Sequence, residues 1–306
     1  MEKPSEFFVR KYSVYTKMSV TTEESEGATP IEETLPVVLP TTVTPTEDKI
    51  TVGYWSIRGL AAPLRMMVMY RNIPLEANNY DCVEREGGGF DVSSWFNVKD
   101  QYKSKNALMN LPYIEDGDML VTQSNACVQY LGRRLTMMGS SEKEMVDVEQ
   151  LLCEYMDIRN AVIRFVYGSD TPAVSNIEKL ISKGSNIDKL HLWLQRKYEN
   201  QTIDGPLYFV GNDVTAADFT IWEILDQIKS MAVFFHMDHD AFSNFPLIAA
   251  FHAGFKDLPN NQRYFNSKLA ALPANNLSAK VYGATPSGAP YVAGSERPWQ
   301  NCTGMY

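Results

Sequence analysis

The sequence predicts a small α/β domain with a mixed four-stranded sheet, followed by an all-helical domain. Three features predict it. Residues 50–70 read as a short strand, a turn and a helix. Tyr113-Ile114 and Met119-Leu120-Val121 flank Asp116-Gly117, a pair favoured in tight hairpins. From Ser141 onward the apolar residues recur at helical spacing.

The elements follow in order. Ile50-Thr51-Val52 opens the first strand, which breaks at Gly53-Tyr54-Trp55-Ser56. A helix is expected over Ala61–Arg71, with Pro63 tolerated in its first turn. Leu75–Val83 suits a second strand, and Gly87-Gly88-Gly89 opens a loop ending near Ser93. No GK[ST] follows the glycines, so they read as a linker and not a phosphate loop. Trp95 to Lys105 is polar and lysine-rich. After the hairpin, Gln123-Ser124 caps a helix whose apolar side includes Ala126, Cys127, Tyr130 and Leu131.

In the second half, one helix carries Val146, Leu151, Leu152, Tyr155, Met156 and Ile163 and ends near Tyr167. A second is expected over Ile177–Tyr198. Gly205–Gly211 is a compact turn, and Thr215 with Asp218 forms a capping box before an apolar run. Two further helices are expected near Phe245–Asp257 and Asn260–Leu272. Domain boundaries therefore fall at 50–136 and 137–283, with tails at 1–49 and 284–306.

The N-terminal segment divides in two. Phe7 to Lys17 mixes aromatic and basic residues, whereas Thr21 to Asp48 is rich in Thr, Pro, Val and Glu and reads as an extended linker. The aromatic part is either an unstructured tail or a short docking peptide for a protein partner through residues 1–20. Residues 283–306 are rich in Gly and Pro.

Composition narrows the function. The chain has 306 residues, is 44% apolar and carries a net charge of −9. That balance disfavours nucleic acid and anionic membranes as partners. The four cysteines are scattered with no CxxC pair, as in a reduced cytoplasmic protein. No apolar run reaches the ~20 residues of a membrane span, and no secretory leader is evident. His236 and His239 lack a third ligand, so no metal is expected.

GYWSIRGLAAPLR at 53–65, NLPYIEDGD at 110–118, TQSNA at 122–126 and VTAADF at 214–219 stand in an order and spacing that resembles soluble glutathione transferases. GYW-x-IRGLA is most similar to the mu class. The likeness covers about residues 50–283. It implies a thioredoxin-like N-terminal domain, a helical C-terminal domain, a homodimer or related heterodimer, glutathione as co-substrate and a small hydrophobic electrophile.

Carried over residue by residue, the resemblance implies these roles. Tyr54 is the catalytic tyrosine, donating its O–H to the glutathione thiolate. Gln123 and Ser124 hold the γ-glutamyl end at a helix N-terminus, where free N–H groups favour a carboxylate. Leu111-Pro112, a cis-proline turn, presents backbone to the cysteinyl part, with Asn110 beside it. Trp95 and Lys99 hold the glycyl carboxylate. Trp55 and Leu60 also lie on the glutathione side. Asp157 reaches the neighbouring subunit's glutathione. Tyr167 faces the electrophile, and Ile57 and Ile163, with Leu60, line the apolar side of its pocket.

Two positions depart from the family pattern. Val92 stands where the mu class has an arginine three residues before the tryptophan, and Leu108 where an aromatic enters the partner subunit. Neither tail belongs to the pattern. An alternative function is therefore a transferase-fold structural or interaction protein, held in a large intracellular assembly by its extensions.

Overall fold

The computed structural model describes residues 49–168, 173–281 and 302–306. The expected docking segment at 1–20, its linker and most of the C-terminal extension lie outside them. Strand β1 (Ile50–Trp55) runs down the centre of the sheet, and helix α1 (Ala62–Tyr70) follows it. Strand β2 (Leu75–Tyr80) returns parallel to β1. The two-residue strands β3 (Val83–Glu84) and β4 (Phe90–Asp91) pair across the triple glycine. Helix α2 (Ser93–Lys103) follows; the Asp91 carboxylate accepts the Ser93 N–H at 2.9 Å and starts it.

Strands β5 (Tyr113–Asp116) and β6 (Met119–Thr122) form the hairpin, antiparallel to each other, with β5 antiparallel to β1. Because Asp116 pairs with Met119, the turn residues are Gly117-Asp118, one position later than the expected Asp116-Gly117. Asp116 is thereby buried and accepts from Arg134 Nε and Tyr130 O–H, each at 2.9 Å. Helix α3 (Ser124–Arg134) closes the first domain.

The helical part comprises α4 (Glu142–Val166), α5 (Val174–Leu180), α6 (Asn186–Tyr198), α7 (Ala216–Phe234), α8 (Pro246–Asp257) and the single turn α9 (Gln262–Phe265). The expected single helix Ile177–Tyr198 is split. Gly184 turns the chain with φ +82°, and Ser185 then caps α6 through the Asp188 N–H. The expected helix Asn260–Leu272 is short. A 3-10 turn at Pro259–Asn261 precedes α9, and the Ser267 hydroxyl takes the Tyr264 carbonyl beyond its end. The loop with His236 and His239 follows α7, and the described residues contain no metal-binding group.

The mixed sheet has the expected four strands plus one more. Its order is β6-β5-β1-β2-β7, where β7 is Gly304–Met305, antiparallel to β2. Residues 302–306, expected within a tail, are instead part of the sheet. Tyr306 and Leu75 exchange both backbone bonds, at 2.8 and 3.1 Å.

Helix α7 is the axis of the core and packs on α1, α4 and α8. Its start is built by Asp218, which is fully buried and accepts from the Thr215 N–H and O–H and from the Phe209 N–H, at 2.7–2.8 Å. Replacing it leaves buried donors without an acceptor. Asp218→Ala should therefore lower the free energy of unfolding by about 2–3 kcal/mol, read from denaturant titration; an unchanged midpoint would contradict the capping role.

Candidate functional site

The site begins at the end of β1. Gly53 has no side chain because Tyr113 occupies the space: a Cβ there would lie 2.1 Å from the Tyr113 ring. At Gly59 the backbone takes φ +40°, and a Cβ would lie 2.7 Å from the Tyr54 ring. The turn between them folds back so closely over Tyr54 that only glycine fits.

Tyr54 is 7% exposed. Its hydroxyl lines the cavity described below and, as a neutral phenol, can donate its proton to a ligand there. Burial raises its pKa, against the lowering pull of Arg159, the Leu60 N–H and Arg65, so it stays a neutral donor across the physiological range.

Two buried arginines fix the turn. Arg58 lies 2% exposed and donates to Glu223 at 2.9 and 3.1 Å and to Asp226 at 2.6 Å, both on α7. His252 on α8 contacts Asp226 at 3.1 Å. The Arg58 and Gly59 N–H groups donate to the Pro273 and Ala274 carbonyls. Arg65 on α1 donates to the Ile57 carbonyl at 2.8 Å, the Trp55 carbonyl at 3.4 Å and the Asn79 side chain at 2.6 Å.

A cavity of about 160 Å³ opens beside Tyr54, lined by Trp55, Ile57, Gly59, Tyr155, Arg159, Ile163, Tyr167, Glu223, Gln227, Asn275 and Asn276 among others. It brings Tyr54, Trp55, Ile57, Ile163 and Tyr167 together. The Leu60 side chain is not among the lining groups; it packs against the core, and its backbone N–H faces the site. The Tyr167 oxygen accepts the Asn276 N–H at 2.8 Å, so its proton is also free, and burial raises its pKa.

A second group lies at the α2 end. Trp95 is 1% exposed, within 6.0 Å of the Tyr80, Tyr102 and Tyr113 ring centroids. Lys99 reaches back from α2 to the Asn110 side-chain oxygen at 3.4 Å and over the Trp95 ring at 5.9 Å. The Leu111-Pro112 bond is cis. Thr122 clasps this loop: the Asn110 N–H donates to its hydroxyl at 3.1 Å, and the hydroxyl donates to the Asn110 carbonyl at 2.7 Å. Gln123, next in the chain, takes φ +71° and caps α3, so Ser124 occupies the first helical position.

Asp157 is not brought to this site. It is exposed on α4 and lines a separate groove with Glu154, Lys189 and Trp193. The helix period explains this. Tyr155, Arg159, Ile163 and Tyr167 recur every four residues and face the cavity, whereas Asp157 falls between them. Sequence reasoning missed Arg159 and Tyr155, although extending the Ile163–Tyr167 spacing backwards finds both. It also missed Thr122, which no periodicity marks.

A thioredoxin-like domain with a cis-proline loop, joined to a helical domain that closes a cavity over the end of β1, defines a two-domain transferase class. Residues 50–133 match the model for the glutathione S-transferase N-terminal domain, and residues 156–268 that for the C-terminal domain. The chain is 32% identical to glutathione S-transferase Mu 3 of Homo sapiens over 235 residues, 76% of this chain and 96% of that one. It is 31% identical to glutathione S-transferase Mu 5 of Rattus norvegicus over 232 residues, 76% and 94% of the two chains. The crystal structure of the glutathione S-transferase Blo t 8 shares the fold with TM-score 0.61 at 24% identity, over 76% of this chain and 99% of that one. The chain belongs to the glutathione S-transferase family, and these sequence relatives are of the mu class.

The buried Arg58 pair ties the turn to α7, and removing one partner strands the other charges in the core. Arg58→Leu should cost about 3–5 kcal/mol of unfolding free energy. A loss below about 1 kcal/mol in a denaturant titration would mean the pair contributes no more than a surface bridge.

Proposed function

We propose that this protein joins glutathione to an electrophilic carbon, with Tyr54 as the donor to the thiolate. The observation that carries the reading is Tyr54 itself: a buried neutral phenol that lines the cavity at the end of β1 beside Arg159, Ile163 and Tyr167. A hydrogen bond to an ionised acceptor contributes about 1.5–3 kcal/mol, which lowers a thiol pKa by about one to two units. The thiol proton passes to solvent, the thiolate attacks, and as the C–S bond forms the electron pair of the carbon's π bond, or of its bond to a leaving group, moves away as negative charge on the electrophile. The free Tyr167 proton and the Arg159 guanidinium lie in the same cavity to receive that charge. The cavity is on the scale that holds one benzene-sized ring.

In this reading, Lys99, Trp95 and Asn110 take the glycyl carboxylate, and the Leu111 backbone takes the cysteinyl part. Gln123 and Ser124 take the γ-glutamyl end at the α3 N-terminus. Asp157 faces away from this cavity, which suits a role in a partner subunit's site and makes the active form a dimer. Leu108, 70% exposed, is the side chain presented to that partner. We place the first domain at 50–136 with β7 (Gly304–Met305) added to its sheet, the second at 137–283, and the protein in the cytoplasm. Among the described residues no helix is long and apolar enough to cross a membrane. The relatives are named transferases, which supports conjugation; nothing among them favours a purely structural role.

Tyr54→Phe should lower the conjugation rate at neutral pH by about tenfold or more, since each tenfold is about 1.4 kcal/mol of transition-state stabilisation. Glutathione affinity should change little, because most binding contacts lie elsewhere. Steady-state kinetics and a binding titration test both halves; equal loss of affinity and rate would remove the thiolate role.

Val92 is the cap residue just before α2, and its carbonyl accepts the Trp95 and Phe96 N–H groups. An arginine here adds a charged donor one turn before Trp95. Val92→Arg should tighten glutathione by about fivefold, a charged hydrogen bond less the ordering of a long side chain. Calorimetric titration showing unchanged or weaker affinity would refute that geometry.

A further inference from the structure

The fifth strand meets the site through a chain of hydrogen bonds. Cys302, just before β7, is 3% exposed. Its carbonyl accepts the Asn79 side-chain N–H at 3.2 Å and also the Tyr306 O–H. The Thr303 hydroxyl donates to the Asn79 carbonyl at 3.3 Å. The other end of the Asn79 amide, its oxygen, accepts from Arg65 at 2.6 Å. Arg65 has no exposure and holds the carbonyls of Trp55 and Ile57, the residues on either side of the turn that begins after Tyr54. No carboxylate contacts Arg65 among the described residues; neutral oxygens alone orient it. An amide with its N–H side fixed by a carbonyl must present its oxygen to the guanidinium.

We propose that residues 302–306 position the catalytic turn. The strand fixes the Asn79 amide, the amide fixes Arg65, and Arg65 fixes the Trp55 and Ile57 carbonyls and so the direction of Tyr54. Asn79, Arg65 and the Cys302 carbonyl are positioning groups; none of them lines the cavity. This rests on the conjugation reading above. Releasing the strand frees the amide to rotate. Rotation would point its N–H groups at a guanidinium that has only donors. Arg65 then loses a partner, and Tyr54 is less well aimed. Displacements on the scale of an ångström cost up to about a hundredfold in rate even when they originate away from the reacting atoms.

The test uses the full chain. Gly304 sits in β7 with φ +142°, a value closed to proline, so Gly304→Pro detaches the strand. Asn79→Ala breaks the next link. Both variants should lower kcat by about tenfold and move the rising limb of the pH–rate profile upward by about one unit. Glutathione affinity should stay within about twofold, because Gln123, Ser124, Trp95 and Lys99 are not touched by the change. Asn79→Asp in the Gly304→Pro background should restore the rate, since a carboxylate holds Arg65 whichever way it turns. Wild-type protein without conjugating activity would overturn the conjugation reading on which this stands. An active wild type with unchanged kcat and pH profile in both variants would overturn the positioning role alone. Failure of Asn79→Asp to rescue would do the same. If Gly304→Pro does not fold, Asn79→Ala decides: an unshifted pH profile there rejects the proposal.

Discussion

The molecule depends on one buried cluster of charge, an arginine with two carboxylates, that joins its first domain to its second. Arg58 belongs to the turn after β1, and Glu223 and Asp226 belong to α7, the helix on which the second domain is built. Burial alone would push the Arg58 pKa down; the two carboxylates outweigh it and raise it. Asp226, between Arg58 and His252, is held well below the usual carboxylate range despite its burial. Glu223 moves the other way, because burial outweighs Arg58 there and Asp226 adds a like charge. The Gln227 side chain also donates to Glu223, at 2.8 Å. Such a buried cluster of charge contributes little net energy against an apolar alternative. What it supplies is a fixed distance between the turn that carries Tyr54 and the helix that closes the cavity.

The rest of the turn follows from that anchor. Arg65 holds the Trp55 and Ile57 carbonyls, the Arg58 and Gly59 N–H groups donate to Pro273 and Ala274, and the Ser56 N–H donates to the Tyr80 carbonyl. In the proposed reaction, a phenol so held would lose little entropy on meeting a thiolate, which is the advantage of preorganised donors over mobile ones. The cost is a neighbourhood of buried charge that tolerates few substitutions.

How legible all this was in the sequence varied with the physics. Strands β1, β2, β5 and β6 carry apolar residues at sheet spacing, and the capping box at Thr215 and Asp218 is a local pattern, so both could be read directly. Helix α2 was not, because Trp95 is its one buried residue and no apolar stripe exists to find. The split between α5 and α6 turned on Gly184, a single residue inside a helical pattern. The motif residues Tyr54, Trp95, Lys99, Asn110 and Gln123 were legible through resemblance; their burial and partners were not. Arg58 lay inside the recognised motif, yet its ion pair joins residues 165 positions apart. Strand β7 is two residues long and follows a segment rich in Gly and Pro; only the edge of β2 makes it a strand.

The central claim is that this fold lowers the pKa of a bound thiol through Tyr54. The most direct measurement is a spectrophotometric pH titration of the thiolate absorbance of glutathione bound to the wild-type protein. The account predicts a midpoint about one to two units below the ~8.5 of a free thiol. A bound thiol that titrates at the free value would contradict it.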